Sequence, residues 1–189
     1  MPRAPRQEIP GAIHHVVAKG VSGQEIVHDD HDRRALWMRL GRTVGRYRWR
    51  CFAYCFMDTH FHLVLRTPEP NLGRGMQWLC GRYAQEFNSR WGRSGHLFGS
   101  RFYSDVVTSD GHFVASVVYV VLNPVKAAMV DRAELWPWSS YAATAGLVEA
   151  PSFLDVEGVL EHFDRRADRA RRRLVAGVLE AVEQLSRPR

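Results

Sequence analysis

The stretch Trp49–Arg66, WRCFAYCFMDTHFHLVLR, decides how the chain is read. Trp49 to Phe56 is rich in aromatic residues, Met57-Asp58-Thr59 is a tight connection, and His60 to Arg66 reads as a second strand. Together they predict a β-hairpin, closed by Pro68 and Pro70. Strand alternation sends His60 and His62 to one face and Phe61 to the other. Two neighbouring imidazoles on a sheet face can bind one divalent ion while Phe61 anchors the strand in the core. The bland alternative is a pair of half-exposed strand histidines. Cys51 and Cys55 share a face if the run is a strand, and could then approach a metal. No second cysteine pair completes a zinc set, so buried core cysteine is the better reading.

Upstream, Ala12–Lys19 (AIHHVVAK) reads as a short strand closed by Gly20, and residues 1–10 as a Pro- and Arg-rich arm. Asp29 and Asp30 offer caps for a helix over 31–47, whose apolar positions are Leu36, Leu40, Val44 and Tyr47. Its other face carries Arg33, Arg34, Arg39, Arg42 and Arg46. Downstream, Asn71 is placed as the cap of a second helix with Leu72, Met76, Leu79, Tyr83 and Phe87 on its apolar face. Trp91–Gly99 reads as a loop and Arg101–Thr108 as a strand.

The next segment is ambiguous. Ser109 and Asp110 suit a helix cap, whereas VASVVYVVL favours a strand by propensity, and Asn123-Pro124 should end or kink either one. If it is a helix, His112, Ser116, Tyr119 and Asn123 form one polar stripe, with Phe113, Val114, Val117 and Val121 facing the core. A tyrosine hydroxyl and an amide one turn apart could serve a site. A partly buried tyrosine with a hydrogen-bonded tip is the ordinary alternative. Trp136–Tyr141 (WPWSSY) reads as an aromatic turn, and Phe153–Gln184 as helical with a basic run.

The chain has 189 residues, 46% hydrophobic and 24% charged, which suits one globular domain and excludes wholesale disorder, collagen and coiled coil. Its longest apolar stretch, Phe113–Leu122, is too short to span a bilayer, so no membrane association is expected. The first residues lack an apolar signal core, and a cytoplasmic location is expected, on the nucleoid when bound to DNA. Three cysteines, an odd count, suit reduced thiols. Lys plus Arg number 26 against 20 Asp plus Glu, a net charge of +6. The isoelectric point is near 9.6, which favours polyanionic partners, nucleic acid above all. No HExxH, GxxxxGK[ST] or GxSxG motif is present, and the third imidazole of a histidine-triad hydrolase is missing after His62.

MDTHFHLVL, GHLFGSRFYSD, YVVLNPVKAAMV and WPWSSY occur in that order. From Gly11 to Tyr141 the chain resembles the REP-associated tyrosine transposases, a branch of the single-tyrosine HUH transposases. The resemblance implies an α+β fold, a ferredoxin-like antiparallel sheet flanked by helices, with the two histidines on a central strand. It also makes 110–122 a helix. The organisation expected is an arm over 1–10, a catalytic domain over 11–146, and a basic helical C-terminal extension over 147–189.

By the same resemblance, His60 and His62 hold Mg²⁺ or Mn²⁺, Tyr119 is the nucleophile, and Asn123 is a weaker carry-over as a metal ligand or orienter. Such an enzyme cleaves and rejoins single-stranded DNA, expected at hairpins, through a 5′-phosphotyrosine. Free tyrosine has a pKa near ~10, so its phenol needs help from a cation on the scissile phosphate. The covalent bond conserves the phosphodiester energy, so rejoining is reversal. Lys19, Arg74, Arg82, Arg101 and Lys126 are candidate DNA contacts. The Trp91 loop, Phe102, Tyr103 and the Trp136–Tyr141 turn could stack bases. Two departures from the family pattern stand out: Asp58-Thr59 replaces Pro-Asn, and Lys19-Gly20-Val21 replaces Arg-Gly-Asn. The rivals are a non-catalytic, domesticated hairpin or single-strand binder on the same fold, and a nuclease that only hydrolyses. Relatives imply a monomer or a homodimer.

Overall fold

The computed structural model describes residues 8–99 and 101–186. Most of the expected arm, residues 1–7, lies outside them. The chain runs β1 (Ile13–Lys19), α1 (Asp30–Tyr47), β2 (Arg50–Phe56), β3 (His60–Arg66), α2 (Leu72–Arg90), β4 (Tyr103–Val107) and α3 (Asp110–Lys126). Three helices follow: α4 (Tyr141–Thr144), α5 (Val156–Leu160) and α6 (Ala167–Ser186). The four strands form one antiparallel sheet in the order β2-β3-β1-β4. This βαββαβ succession with β1 and β3 central is the ferredoxin-like arrangement, followed by a C-terminal helical part.

Alternation divides the sheet into two faces. Val16 and Ala18 of β1, Phe61, Leu63 and Leu65 of β3, and Tyr54 and Phe56 of β2 pack under α1 and α2. On the other face, Ala53, Cys55 and Val64 meet Phe113, Val117, Val120 and Val121 of α3. Leu160, Phe163, Ala170, Leu174 and Val178 complete this second core, so residues beyond 147 pack into the same layer as α3. Where α1 leads into β2, Trp49 lies against α2 so closely that a Cβ at Gly75 would stand 2.1 Å from its ring.

The outer edge of β2 is covered rather than left open. Phe56 N–H donates to the Trp138 carbonyl (2.9 Å) and Ser140 N–H to the Tyr54 carbonyl (2.9 Å), so the WPWSSY turn lies along that edge. Asp155 N–H donates to the Cys51 carbonyl (2.8 Å) at its other end. Covering an edge in this way blocks pairing with other chains.

Four local expectations are corrected. Asn71 does not cap α2 with its side chain. Its Oδ1 accepts from the buried Trp49 indole (2.7 Å) and its Nδ2 donates to the Tyr47 carbonyl (3.3 Å). Cys51 and Cys55 do not share a face, because a bulge between Cys51 and Ala53 shifts the alternation. Cys51 falls in the α1–α2 core and Cys55 in the α3 core, and both are fully buried.

The valine-rich segment is the helix that the resemblance implies, and the third correction is where it ends. The Ser109 side chain caps it by accepting from His112 N–H, and its apolar stripe faces β2 and β3. It continues to Lys126, through Pro124. Finally, 153–184 is not one helical run. The Asp164 carboxylate accepts the Arg166 N–H (3.0 Å), a local bond that competes with helix continuation between α5 and α6.

Candidate active site

His60 and His62 leave β3 on the α3 face, and Phe61 is fully buried on the opposite face. The two imidazole centroids are 4.9 Å apart. The turn before them is clamped on both sides. Met57 N–H donates to the His60 carbonyl (2.9 Å), Ile26 N–H to the Asp58 carbonyl (2.7 Å) and Gly20 N–H to the Thr59 carbonyl (2.8 Å). Gly20 sits where a Cβ would come within 2.1 Å of the Gln24 carbonyl, so only glycine lets the segment after β1 fold back against this turn. The two residues of this turn that depart from the family pattern are engaged. Asp58 takes the Arg33 guanidinium, and Thr59 Oγ1 lies 3.0 Å from His60 Nδ1.

A third imidazole joins from β1. His15 Nε2 lies 3.1 Å from His62 Nδ1, and the two rings stack at 5.4 Å with 19° between their planes. Sequence reasoning missed His15. The doublet His14-His15 in a strand puts one histidine on each face, but only the register, with Val17 opposite His62 and Lys19 opposite His60, shows which reaches the site.

Burial dominates the electrostatics. It pushes the His62 pKa down to about 3, helped by the neighbouring His60, His15, Lys19 and Lys126. His60 and His15 are also lowered, first by burial. Each shift favours the neutral imidazole, the form that ligates a metal. His62 is 4% exposed, and its Nε2 is buried with no hydrogen-bond partner among the described residues.

Tyr119 comes from α3. Its ring meets His15 edge-on at 5.6 Å and His62 at 5.7 Å. It is 42% exposed, and its hydroxyl has no hydrogen-bond partner among the described residues, so the hydrogen-bonded-tip alternative does not hold. Lys126, one turn beyond Asn123, places its ammonium 4.1 Å from the Tyr119 ring centroid. Burial lowers its pKa.

Asn123 has a local task. Pro124 has no N–H to give the Val120 carbonyl, and Asn123 Nδ2 donates there instead (3.3 Å), as well as to the Tyr119 carbonyl (2.9 Å). The Asn-Pro pair thus keeps the Tyr119 turn helical.

The five candidate DNA contacts divide. Lys19 and Lys126 stand at the histidine site. Arg74 and Arg101 line a cleft of about 610 Å³ on the α2 side with Phe98 and Phe102. Arg82 lies on the outer surface of α1 and α2, in a groove with Arg39, Arg46 and Trp78. Of the aromatic candidates, Tyr103 is 61% exposed and shares a sheet row with Val17 and His62. The Trp136 indole N–H instead bonds the Phe56 carbonyl, that of Trp138 bonds Asp30, that of Trp91 bonds Asp32, and Tyr141 is buried.

A separate acidic group lies at the start of α1, where ligand atoms of Asp29, His31 and Asp32 come within 4.8 Å of one another. Its carboxylates are filled by protein donors. Arg90 bonds both Asp29 oxygens and Asp32 Oδ1, while Asp32 Oδ2 takes the His28 N–H and the Trp91 indole. The Arg90 guanidinium and the Asp32 N–H hold the Asp29 carboxyl well below the usual range. The group ties α1 to the end of α2, and a cation there would have to displace a guanidinium. The histidine site has an unused buried nitrogen instead, and is the better fit for a metal.

A protein of Haemophilus influenzae described as a REP-associated tyrosine transposase is 23% identical to this chain over 111 residues, 53% of this chain and 63% of that protein. The chain is similar to REP-associated tyrosine transposases. The match spans less than two thirds of that relative's length. A solved REP-associated tyrosine transposase bound to a REP hairpin has the same fold, with a TM-score of 0.65 over 82% of this chain and 90% of that one, at 14% identity. No protein-family model matches the chain. Among the described residues, no helix is long and apolar enough to cross a membrane.

Proposed function

We propose that the chain is a metal-dependent, single-stranded DNA transposase that cleaves and rejoins hairpin-bearing DNA through Tyr119. The observation that carries this reading is the meeting of two groups without hydrogen-bond partners among the described residues: the exposed Tyr119 hydroxyl, and a buried His62 Nε2 whose ring lies 5.7 Å from that of Tyr119. A fold maintained only for packing has no reason to leave both idle on touching rings.

His60 and His62 are the residues that hold the metal in this reading, with Asn123 close by on α3. Mg²⁺ or Mn²⁺, when bound, supplies charge to the scissile phosphate and to the pentacovalent transition state. Tyr119 Oη forms a bond to phosphorus and the P–O3′ bond breaks, leaving a 5′-phosphotyrosine. The tyrosyl proton passes to solvent and the departing 3′ oxygen takes one up. Lys126 and Lys19 hold the phosphates at the site, Tyr103 offers a ring to an unpaired base, and Arg74, Arg82 and Arg101 serve longer DNA along the α2 side. Reversal with a different 3′-OH rejoins the strand.

The test is incubation of the protein with labelled hairpins from its genomic neighbourhood and Mn²⁺, followed by denaturing electrophoresis. A protein–DNA adduct that survives denaturation is expected from the wild type and is absent with His62→Ala. Hairpin binding without an adduct under any metal condition would instead establish the non-catalytic binder.

A further inference from the structure

We infer that His15 is a positioning residue that holds His62 in the tautomer protonated on Nδ1, keeping the Nε2 lone pair directed at the metal position. The inference rests on the reading of His60 and His62 as a metal site, and it concerns a residue outside that pair.

A neutral imidazole carries one N–H, on either nitrogen. In His62 the two nitrogens have different surroundings. Nε2 is buried with no partner, whereas Nδ1 has His15 Nε2 at 3.1 Å. A proton on Nε2 would be a buried donor without an acceptor. A proton on Nδ1 has the lone pair of His15 Nε2 to receive it, and His15 then carries its own proton on Nδ1. Asp105 stands opposite His15 in the β1–β4 register, and its charge acts on the His15 ring.

His60 has a comparable neighbour, a hydroxyl that can accept from or donate to its Nδ1. Thr59 Oγ1 lies 3.0 Å from its Nδ1. Both histidines therefore have Nδ1 engaged by a neighbour, one by a hydroxyl from the turn and one by an imidazole from β1. An acceptor on the far nitrogen of a ligating histidine fixes ring and tautomer, and its removal typically weakens metal binding ~10–100-fold. Strand pairing holds His15 in place. It lies in a central strand paired on both sides, and its ring is pinned between His62 and Tyr119.

The experiment compares wild type, His15→Gln and His15→Leu. Gln keeps a carbonyl acceptor near the position of Nε2, whereas Leu fills the volume without one. Two-bond ¹H–¹⁵N spectra of the metal-free proteins report the His62 tautomer directly. The expected result is Nδ1–H in wild type and His15→Gln, and a shift toward Nε2–H in His15→Leu. Mn²⁺ titration should show His15→Leu weakened ~10–100-fold and His15→Gln restored to within a few-fold of wild type. Nε2–H in metal-free wild type, or unchanged tautomer and affinity in His15→Leu, would overturn the inference. Should His15→Leu not fold, the wild-type spectrum and the His15→Gln titration still decide. A wild type with the Nδ1–H tautomer that binds no Mn²⁺ would overturn the metal site and leave the role of His15 in setting the tautomer standing.

Discussion

On the α1–α2 side of the sheet, Val16, Ala18, Phe61, Leu63 and Leu65 meet a closed apolar layer, and three aromatic polar tips that enter it are matched. Tyr83 donates to the Ile26 carbonyl (2.5 Å), Trp49 to Asn71 (2.7 Å) and Trp37 to Tyr54 (3.2 Å). On the α3 side the same strands present His15, Lys19, His60 and His62, and two polar atoms there, His62 Nε2 and Tyr119 Oη, bond nothing among the described residues. One face thus pairs its tyrosine hydroxyls and indoles, while the other leaves a tyrosine hydroxyl and an imidazole nitrogen unpaired among the described residues. Unused capacity next to neutral imidazoles is what separates a candidate site from a well-made core.

The contrast breaks most sharply with two tyrosines. Tyr119→Phe should abolish the covalent DNA adduct while leaving hairpin affinity and thermal stability near wild type. Tyr83→Phe should do the reverse, keeping adduct formation and costing about 1–3 kcal/mol in a denaturant titration, because the buried Ile26 carbonyl loses its donor. Adduct formation by Tyr119→Phe would dismantle the proposed chemistry.

Neighbouring residues on β3 give the next comparison. Phe61→Ala empties a fully buried position and should destabilise the fold by about 3–5 kcal/mol. His62→Ala should cost much less stability, since it also removes an imidazole held neutral by burial, yet it should eliminate Mn²⁺ binding and cleavage. Equal destabilisation by the two would mean that His62 is simply core.

A double-mutant cycle sharpens the account of the helix that carries Tyr119. Asn123→Ala leaves the Val120 carbonyl without a donor and should cost about 1–2 kcal/mol. In a Pro124→Ala background the restored N–H serves that carbonyl, so the same change should cost about 1 kcal/mol less. Additive costs would show that the amide does not replace the missing bond.

The smallest expected effect concerns affinity. Lys126→Ala, at the tyrosine, should reduce the salt dependence of hairpin binding by about one phosphate contact, whereas Arg82→Ala, on the outer helices, should change it less. A larger change from Arg82 would place the main DNA track on the α1–α2 surface.

Much of this was legible in the sequence because it is local. The hairpin, the facing of His60 and His62, and the α1 cap at Asp29 follow from spacing and side-chain chemistry within a few residues. What escaped depends on distant partners. The bulge that separates Cys51 from Cys55 appears only in the pairing of β2 with β3. His15 acquires a role only through the β1–β3 register. Asn71 matches the pattern of a helix cap, yet the indole of Trp49, 22 residues earlier, claims its side chain. The valine run, strand-like by propensity and helical by the family resemblance, is held as a helix by tertiary contact with β2 and β3.

The strand order has a consequence for how the molecule comes into being. β1 emerges first from the ribosome but sits in the middle of the sheet, so it must wait for β3 and then for β4. The His15–His62 contact closes a gap of 47 residues, and Tyr119 is later still in the chain. Such non-local pairings form slowly compared with a hairpin or a helix. A nascent chain therefore carries its histidine pair on a completed β2–β3 hairpin well before the third imidazole and the tyrosine can reach it. If Tyr119 is the nucleophile, as proposed, strand cutting waits until synthesis has passed α3 and becomes a late reporter of correct folding.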